Sequence, residues 1–353
     1  MKRIYFPVLV LVMAIVLLQL LILVLDMNFL LTQITMSLYY TIVIVGLCML
    51  MGYAGQISMG HAGFFAIGAY TQAFLVTVNL GPADISGFPG FLKSAGLLIA
   101  RSTPSGEILS FSPWIAFVAV IIITVFFALD LGIPILRLKG HYLAMATLAF
   151  GIMIYTFVLA VDFLGMADGI AGIPPFQMFP GIALSGDMSA RIPNYYIAAV
   201  VLIIVVTVAV NIINSRVGRA LKAIHGNQLA AESLGINASR YKLGIFVFSA
   251  VTAAVAGAML AHYNGSIGPS EATINKSVRF VSLVAVGGMD SIWGVVGMGF
   301  CLQFISLRGV FGSFDEAFFA LILVITMLFL PRGIIRVEYF KSLVAWIRRL
   351  LKK

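Results

Sequence analysis

The sequence predicts an all-α, polytopic protein held in a lipid bilayer, and three observations predict it. Of the 353 residues, 61 % are apolar and 10 % charged, with a mean hydropathy of +1.09, which leaves too little polar surface to face water on all sides. The apolar residues run in continuous stretches of about 20 and do not alternate as barrel strands do. Finally, basic residues crowd particular connections between those stretches.

Taken in order, the apolar segments cover residues 4–25, 29–51, 62–78, 114–136, 142–161, 195–213 and 243–263. Lys2 and Arg3 give the first the look of a secretory signal, but the run is long and no small-residue cleavage site precedes Asp26, so it is read as a retained span. Cys48 and Cys301 lie inside apolar runs without partners in the sequence and read as packing residues. With the N-terminus placed in the cytoplasm, 16 of the 22 Lys and Arg residues fall on cytoplasmic connections. Lys242 and Arg332 are both cytoplasmic in that scheme, so an even number of crossings must separate them. The apolar run after Ser277 is therefore read as two half-length pieces, 277–287 and 294–307, that meet at a Gly287 to Gly294 turn, followed by a last span at 317–330. That gives ten membrane segments with both termini cytoplasmic.

Connections 80–113 and 162–193 fall outside. The first is rich in Gly, Pro and Ser, and the second carries Asp162, Asp168 and Asp187 against Arg191. The connection 215–242 falls inside, and segment 336–353 has an apolar face and a basic one, which suits a helix lying along the inner membrane surface or a simple anchor. In 215–242, Asn227 suits a helix N-cap, Gln228 to Leu234 can form about two helical turns, and Gly235 suits a left-handed stop. Such a helix presents either a surface to lipid headgroups or a knob for another protein. Ala230, Ala231 and Leu234 are its expected contact face, with Glu232 beside them.

Between Gly52 and Tyr70 five glycines are interleaved with Ala54, Ser58 and Ala62. Small residues allow close helix packing. A broken helix whose freed polar groups line a path is the other reading, with Gln56, Ser58 and His61 as its polar members. The second break offers Gly288, Asp290 and Ser291, a weak echo of the first that could mark two structural halves. Asp130, at the end of the fourth span, is expected to reach the inner interface.

No catalytic constellation, cofactor site or metal-ligand spacing emerges from the four histidines or the cysteines. The chain has no G-x-x-x-x-G-K-[ST] sequence, so any ATP is hydrolysed by a partner. Its net charge of +9 is that of a cytoplasmic membrane face and gives no case for nucleic acid.

Four patches, at 52–70, 136–151, 219–257 and 282–297, together with the terminal LFLPRGI at 328–334, resemble the LivM-type permease subunits of branched-chain amino acid ABC importers. The resemblance implies a bacterial inner-membrane subunit that pairs with a LivH-like permease, docks on two ATPase subunits and receives solute from an external binding protein. It also implies that the loop carrying Ala230, Ala231, Glu232, Leu234 and Gly235 is the segment the ATPase grips. Two departures leave the solute class open to urea, short amides or other small polar compounds. His141 stands where an acidic residue is common, and GMADG at 165–169 stands where a TGG-like element is expected. An ion-coupled transporter or channel is the competing class, with Asp290 nearly its only candidate coupling group.

Overall fold

A computed structural model describes residues 2–80, 98–103, 106–136, 138, 140–179 and 181–329. In chain order the helices are α1 (Lys2–Val24), α2 (Leu30–Cys48), α3 (His61–Thr77), α4 (Pro113–Ile135), α5 (His141–Ala160), α6 (Arg191–Asn214), α7 (Arg216–Gly226), α8 (Gln228–Ser233), α9 (Ala238–Asn264), α10 (Ile274–Gly287), α11 (Ile292–Leu307) and α12 (Asp315–Phe329). Helices thus stand at every position where hydropathy placed an apolar segment. Six of them, α1, α2, α4, α5, α6 and α9, are long and apolar enough to cross a membrane. The predicted surface segment 336–353 and residues 81–97 of the first external connection lie outside the described residues.

Hydropathy finds the helices but does not rank them from centre to rim, because lipid tails are as apolar as a helix neighbour. Small and hydroxylated residues make that distinction. The most apolar window of α1, built almost wholly of Leu, Ile and Val, is 22 % buried within the bundle, whereas that of α2 with its π-helical extension Met49–Tyr53 is 94 % buried. In α2 the Thr35, Ser37 and Thr41 hydroxyls donate to the Leu31, Gln33 and Ser37 carbonyls at 2.7 Å, so its polar groups are satisfied within the helix itself.

Helices α2, α3 and α9 form the centre, and α3 crosses α9 at backbone contact. A Cβ on Gly68 would lie 2.1 Å from the Ala254 carbonyl oxygen, and one on Gly257 would lie 2.1 Å from that of Phe65. Only glycine permits this approach. Toward the Thr77 end of α3, Gln72 Nε2 approaches His262 Nε2 at 2.8 Å, and His262 Nδ1 donates to the Pro174 carbonyl at 2.7 Å. A carbonyl can only accept, so Nδ1 carries the proton and Nε2 accepts from the glutamine.

The two connections expected outside are not wholly irregular. Strand β1 (Leu98–Thr103) pairs antiparallel with β2 (Gly106–Phe111), Leu98 opposite Phe111. Further along, β3 (Ile170–Ala171) pairs with β6 (Ser266–Ile267), and β4 (Phe176–Phe179) pairs with β5 (Ile182–Leu184). The fold is therefore helical with small β pairings at one end. These strands are two to six residues long, too short to show a period of two against the Gly, Pro and Ser around them. Segment 165–169 turns through left-handed backbone at Gly165, Met166 and Gly169 and sets β3 against β6.

Candidate functional site

The connection between α6 and α9 is built from three side-chain caps. Ser215 Oγ accepts from the Val217 amide at 3.1 Å, Asn227 Oδ1 from the Ala230 amide at 3.1 Å, and Asn237 Oδ1 from the Arg240 amide at 3.1 Å. Helix α8 then stops where the Gly235 backbone turns to φ +82, with the Ile236 amide donating back to the Ala231 carbonyl at 3.1 Å. The N-cap and stop expected from sequence are both present.

The exposed face differs from the expected contact face in two members, losing Ala231 and gaining Leu229. Ala231 is 2 % exposed and packs inward with Ile224, Ala238, Ile236 and Tyr241. It anchors α8 and does not belong to the outward face, because a helix of about two turns has only one side free once its other side closes against α7 and α9. Leu229 and Leu234 stand out at 73 % and 80 % exposure, with Ala230 and Glu232 also exposed beside them. Lys242 Nζ donates to Gln228 Oε1 at 2.8 Å, and Gln228 Nε2 donates to Glu232 Oε1 at 2.9 Å, which ties the knob to the start of α9.

The first interruption, residues 54–60, buries its polar members, although Gly55 and Ile57 are exposed. His61 bridges two hydroxyls, with Nδ1 3.0 Å from Ser58 Oγ and Nε2 2.7 Å from Ser249 Oγ. The Ala62 amide donates to Ser277 Oγ at 3.2 Å, and Gln56, Ser58 and His61 are all buried. Gln56 Oε1 has no donor among the described residues.

At the second interruption, Gly288 turns at φ +94 and Ser291 Oγ caps α11 by accepting from the Gly294 amide at 3.2 Å. Gly288 and Ser291 are buried, while Asp290 is exposed.

The two interruptions meet at Gly52. A Cβ there would lie 1.7 Å from the Met289 carbonyl oxygen, and the neighbouring Tyr53 hydroxyl donates to the Asp290 carbonyl at 3.3 Å. Helix α7 joins them from below. His225 Nδ1 donates to the Gly52 carbonyl at 2.9 Å, and Lys222 Nζ sits 5.6 Å from the centre of the Tyr53 ring. Asp290, Tyr53, Lys222 and His225 share a cavity of about 510 Å³. The structure thus brings Asp290 together with α7, and leaves Gln56, Ser58 and His61 buried outside that cavity. The sequence reading missed His225, Lys222 and Tyr53. The signal available was His225 itself, a histidine in the loop that opposes the Gly52 to Gly55 turn. Among the described residues no group of three or more His, Cys, Asp or Glu could hold a metal ion.

The family described as branched-chain amino acid transport system / permease component matches residues 29–331. The chain belongs to this family. It is 29 % identical to the high-affinity branched-chain amino acid transport system permease protein LivM of Salmonella typhimurium, over 85 % of this chain and 68 % of that protein. The LivM protein of Escherichia coli is 28 % identical over the same shares. The LivH permease protein of Salmonella typhimurium is 24 % identical over 86 % of this chain and 92 % of that one. No solved structure matches the chain. In this branched-chain amino acid permease the matched region takes in both interruptions and the α7–α8 connection, while α1, the least buried of the six long helices, precedes it.

Proposed function

We propose that this permease is the LivM-like membrane subunit of an ATP-driven importer in a bacterial inner membrane, moving branched-chain amino acids that an external binding protein delivers. The observation that carries the proposal is the α8 knob, where exposed Leu229 and Leu234 project from a segment anchored by Ala231 and leading through α7 to both helix interruptions. An exposed apolar pair on a capped helix is a grip for another protein. Because the chain lacks a phosphate-binding loop, two separate ATPase subunits supply the hydrolysis. Similarity to both LivM and LivH relatives supports pairing with a second, LivH-like permease.

In this reading α8 is cytoplasmic, both termini lie inside, and the ten segments cross or re-enter the membrane. Ala230, Glu232, Leu234 and Gly235 face the ATPase, with Ala231 as their anchor. Closure of the ATPases pushes α8, α7 follows, and His225 carries the displacement to Gly52 and the Gly288 to Ser291 turn. Rotation of the flanking helices then opens a path on which Asp290 and Ser291 present their polar groups beside Gly288, with Gln56, Ser58 and His61 as the fixed wall next to it.

The test is mass spectrometry of what co-purifies with the tagged chain from its native membrane. Wild-type chain is expected to bring ATPase chains and a second permease, and L229E/L234E to keep the second permease but lose the ATPases. Recovery of the chain alone, at good yield, overturns the reading.

A further inference from the structure

At the end of the bundle remote from α8, α10 and α12 enclose a cavity of about 720 Å³. About 40 Å of α9 separates this end from the α7–α8 connection. The volume lies in the range of small-molecule sites. Four ionisable side chains line it, namely Lys276, Arg279, Asp315 and Glu316. They balance two positive against two negative charges.

Lys276 and Arg279 lie one helical turn apart on α10, and each side chain is only 16 % exposed. Ionisable groups this well buried in an apolar bundle are costly and mark function more often than stability. Their partners are arranged as two separate poles. Lys276 Nζ donates to Glu271 Oε1 and to the Tyr40 hydroxyl, each at 2.9 Å. Arg279 pairs with Asp315, and Ser306 Oγ lies between them, 2.9 Å from both Arg279 Nη2 and Asp315 Oδ2. Asp315 Oδ1 has no donor among the described residues, an unsatisfied acceptor at the cavity wall. Asn275 Nδ2 holds Glu316 Oε2 at 2.7 Å. Val278, Phe319 and Ala320 supply the apolar part of the lining.

We infer that this cavity binds a free α-amino acid with an aliphatic side chain, its carboxylate taken by Lys276 and Arg279, its ammonium by Asp315 and Glu316, and its side chain by Val278 and Phe319. The lining sets two cations of α10 against two carboxylates of α12, while Glu271, the partner of Lys276, is not among the lining residues. What this lining complements is one molecule carrying both signs a short distance apart, and an aliphatic side chain leaves those poles for the adjoining apolar lining. The inference rests on the amino-acid reading of the previous section and names a site for it.

The experiment uses Ala320→Cys, an exposed lining position, in a chain with Cys301→Ser. The remaining Cys48 is buried. N-ethylmaleimide labelling is followed in native-membrane vesicles against L-leucine, leucinamide, which lacks the anion, and 4-methylpentanoate, which lacks the cation. Leucine is expected to slow labelling and the two half-ligands to leave it unchanged. Equal slowing by leucinamide makes the cavity a cation site, and no slowing by any of the three makes the charge pairs a bolt between α10 and α12; either result overturns the inference. ATP-driven leucine uptake by the same vesicles separates this inference from the functional reading. R279Q/D315N is expected to raise the uptake KM by about tenfold or more, the loss of one or two charged hydrogen bonds. Unchanged KM in that variant beside normal wild-type uptake rejects the cavity and leaves the importer standing. Absent wild-type uptake with leucine protection retained rejects the importer and leaves the cavity's chemistry.

Discussion

The two helix interruptions draw on the same residue types, glycine, serine and one ionisable group, yet end in opposite states. At the first the ionisable group, His61 at the start of α3, is turned inward and closed between Ser58 and Ser249. At 288–291 Asp290 is turned outward, and its backbone carbonyl accepts from Tyr53. The difference lies in what covers each turn. The first is roofed by α5, α9 and α10, through Thr147, Ser249 and Ser277. The second has no such roof: α7, a short amphipathic helix, bonds to Gly52 and lies by the Tyr53 ring, which in turn meet Met289 and Asp290, and it shares a cavity with Asp290. A sealed break stores a fixed geometry, whereas a turn reached only through Gly52 and Tyr53 can move when α7, which holds those two residues by one hydrogen bond and one cation–π contact, moves.

The largest effect is expected where the two breaks touch. Gly52→Ala places a methyl group 1.7 Å from the Met289 carbonyl oxygen, a backbone atom that cannot step aside as a side chain does. Overpacking of this kind should cost about 3 kcal/mol or more, read as a collapse of monodisperse protein after detergent extraction. A fully stable Gly52→Ala protein would show that the breaks are not in contact, and the comparison would fail at its root.

Next in size is the seal. Ser249→Ala leaves His61 Nε2 buried without its partner, at a cost of about 1–3 kcal/mol, measured as a lowered thermal midpoint. Uptake per folded molecule should change little at first, because the first break holds its shape through Ser58 and Ser277. Lost uptake at unchanged stability would instead make 54–60 the moving element.

His225→Phe should show the reverse pattern. It deletes one partly buried hydrogen bond to the Gly52 carbonyl, worth about 1 kcal/mol of stability, but cuts the contact by which α7 reaches the first break. Leucine uptake is expected to fall about tenfold, equivalent to about 1.4 kcal/mol of coupling, while the ATPases still co-purify. A drop in stability without a drop in uptake would make His225 a packing residue only.

Much of this arrangement was legible in the sequence, and the illegible part has a common cause. The helices, their order, the glycine break near 288 and the Asn227 and Gly235 ends of α8 are local, set by hydropathy, capping chemistry and backbone freedom within a few residues. Which helices stand at the centre is not local. Ile, Leu and Val read alike in α1 and α2, and only Thr35, Ser37 and Thr41 hinted at the difference. The inward turn of Ala231 depends on Ile224 and Tyr241 closing over it, and the bridge from His225 to Gly52 spans 173 residues. Lys276 and Arg279 were visible as charges, but Asp315 and Glu271 become their partners only when α10, α12 and the turn before α10 come together.

The smallest structural effect should come from Asp290→Asn, and for that reason it gives the sharpest test of the open break. The substitution keeps the side chain's size and leaves the backbone carbonyl free to accept from Tyr53, so the turn itself is untouched. An exposed site of this kind should change stability by no more than about 0.5 kcal/mol. The carboxylate, however, shares its cavity with Lys222 and His225, and its charge opposes that of Lys222. Removing it should weaken the attraction that holds α7 against the turn, so uptake is expected to fall two- to three-fold, the effect of about 0.5 kcal/mol in a partly exposed site, and the loss should shrink as ionic strength rises and screens the wild-type attraction. Uptake equal to wild type at low and high salt would leave the contact between α7 and the turn resting on His225 and the Tyr53 ring alone.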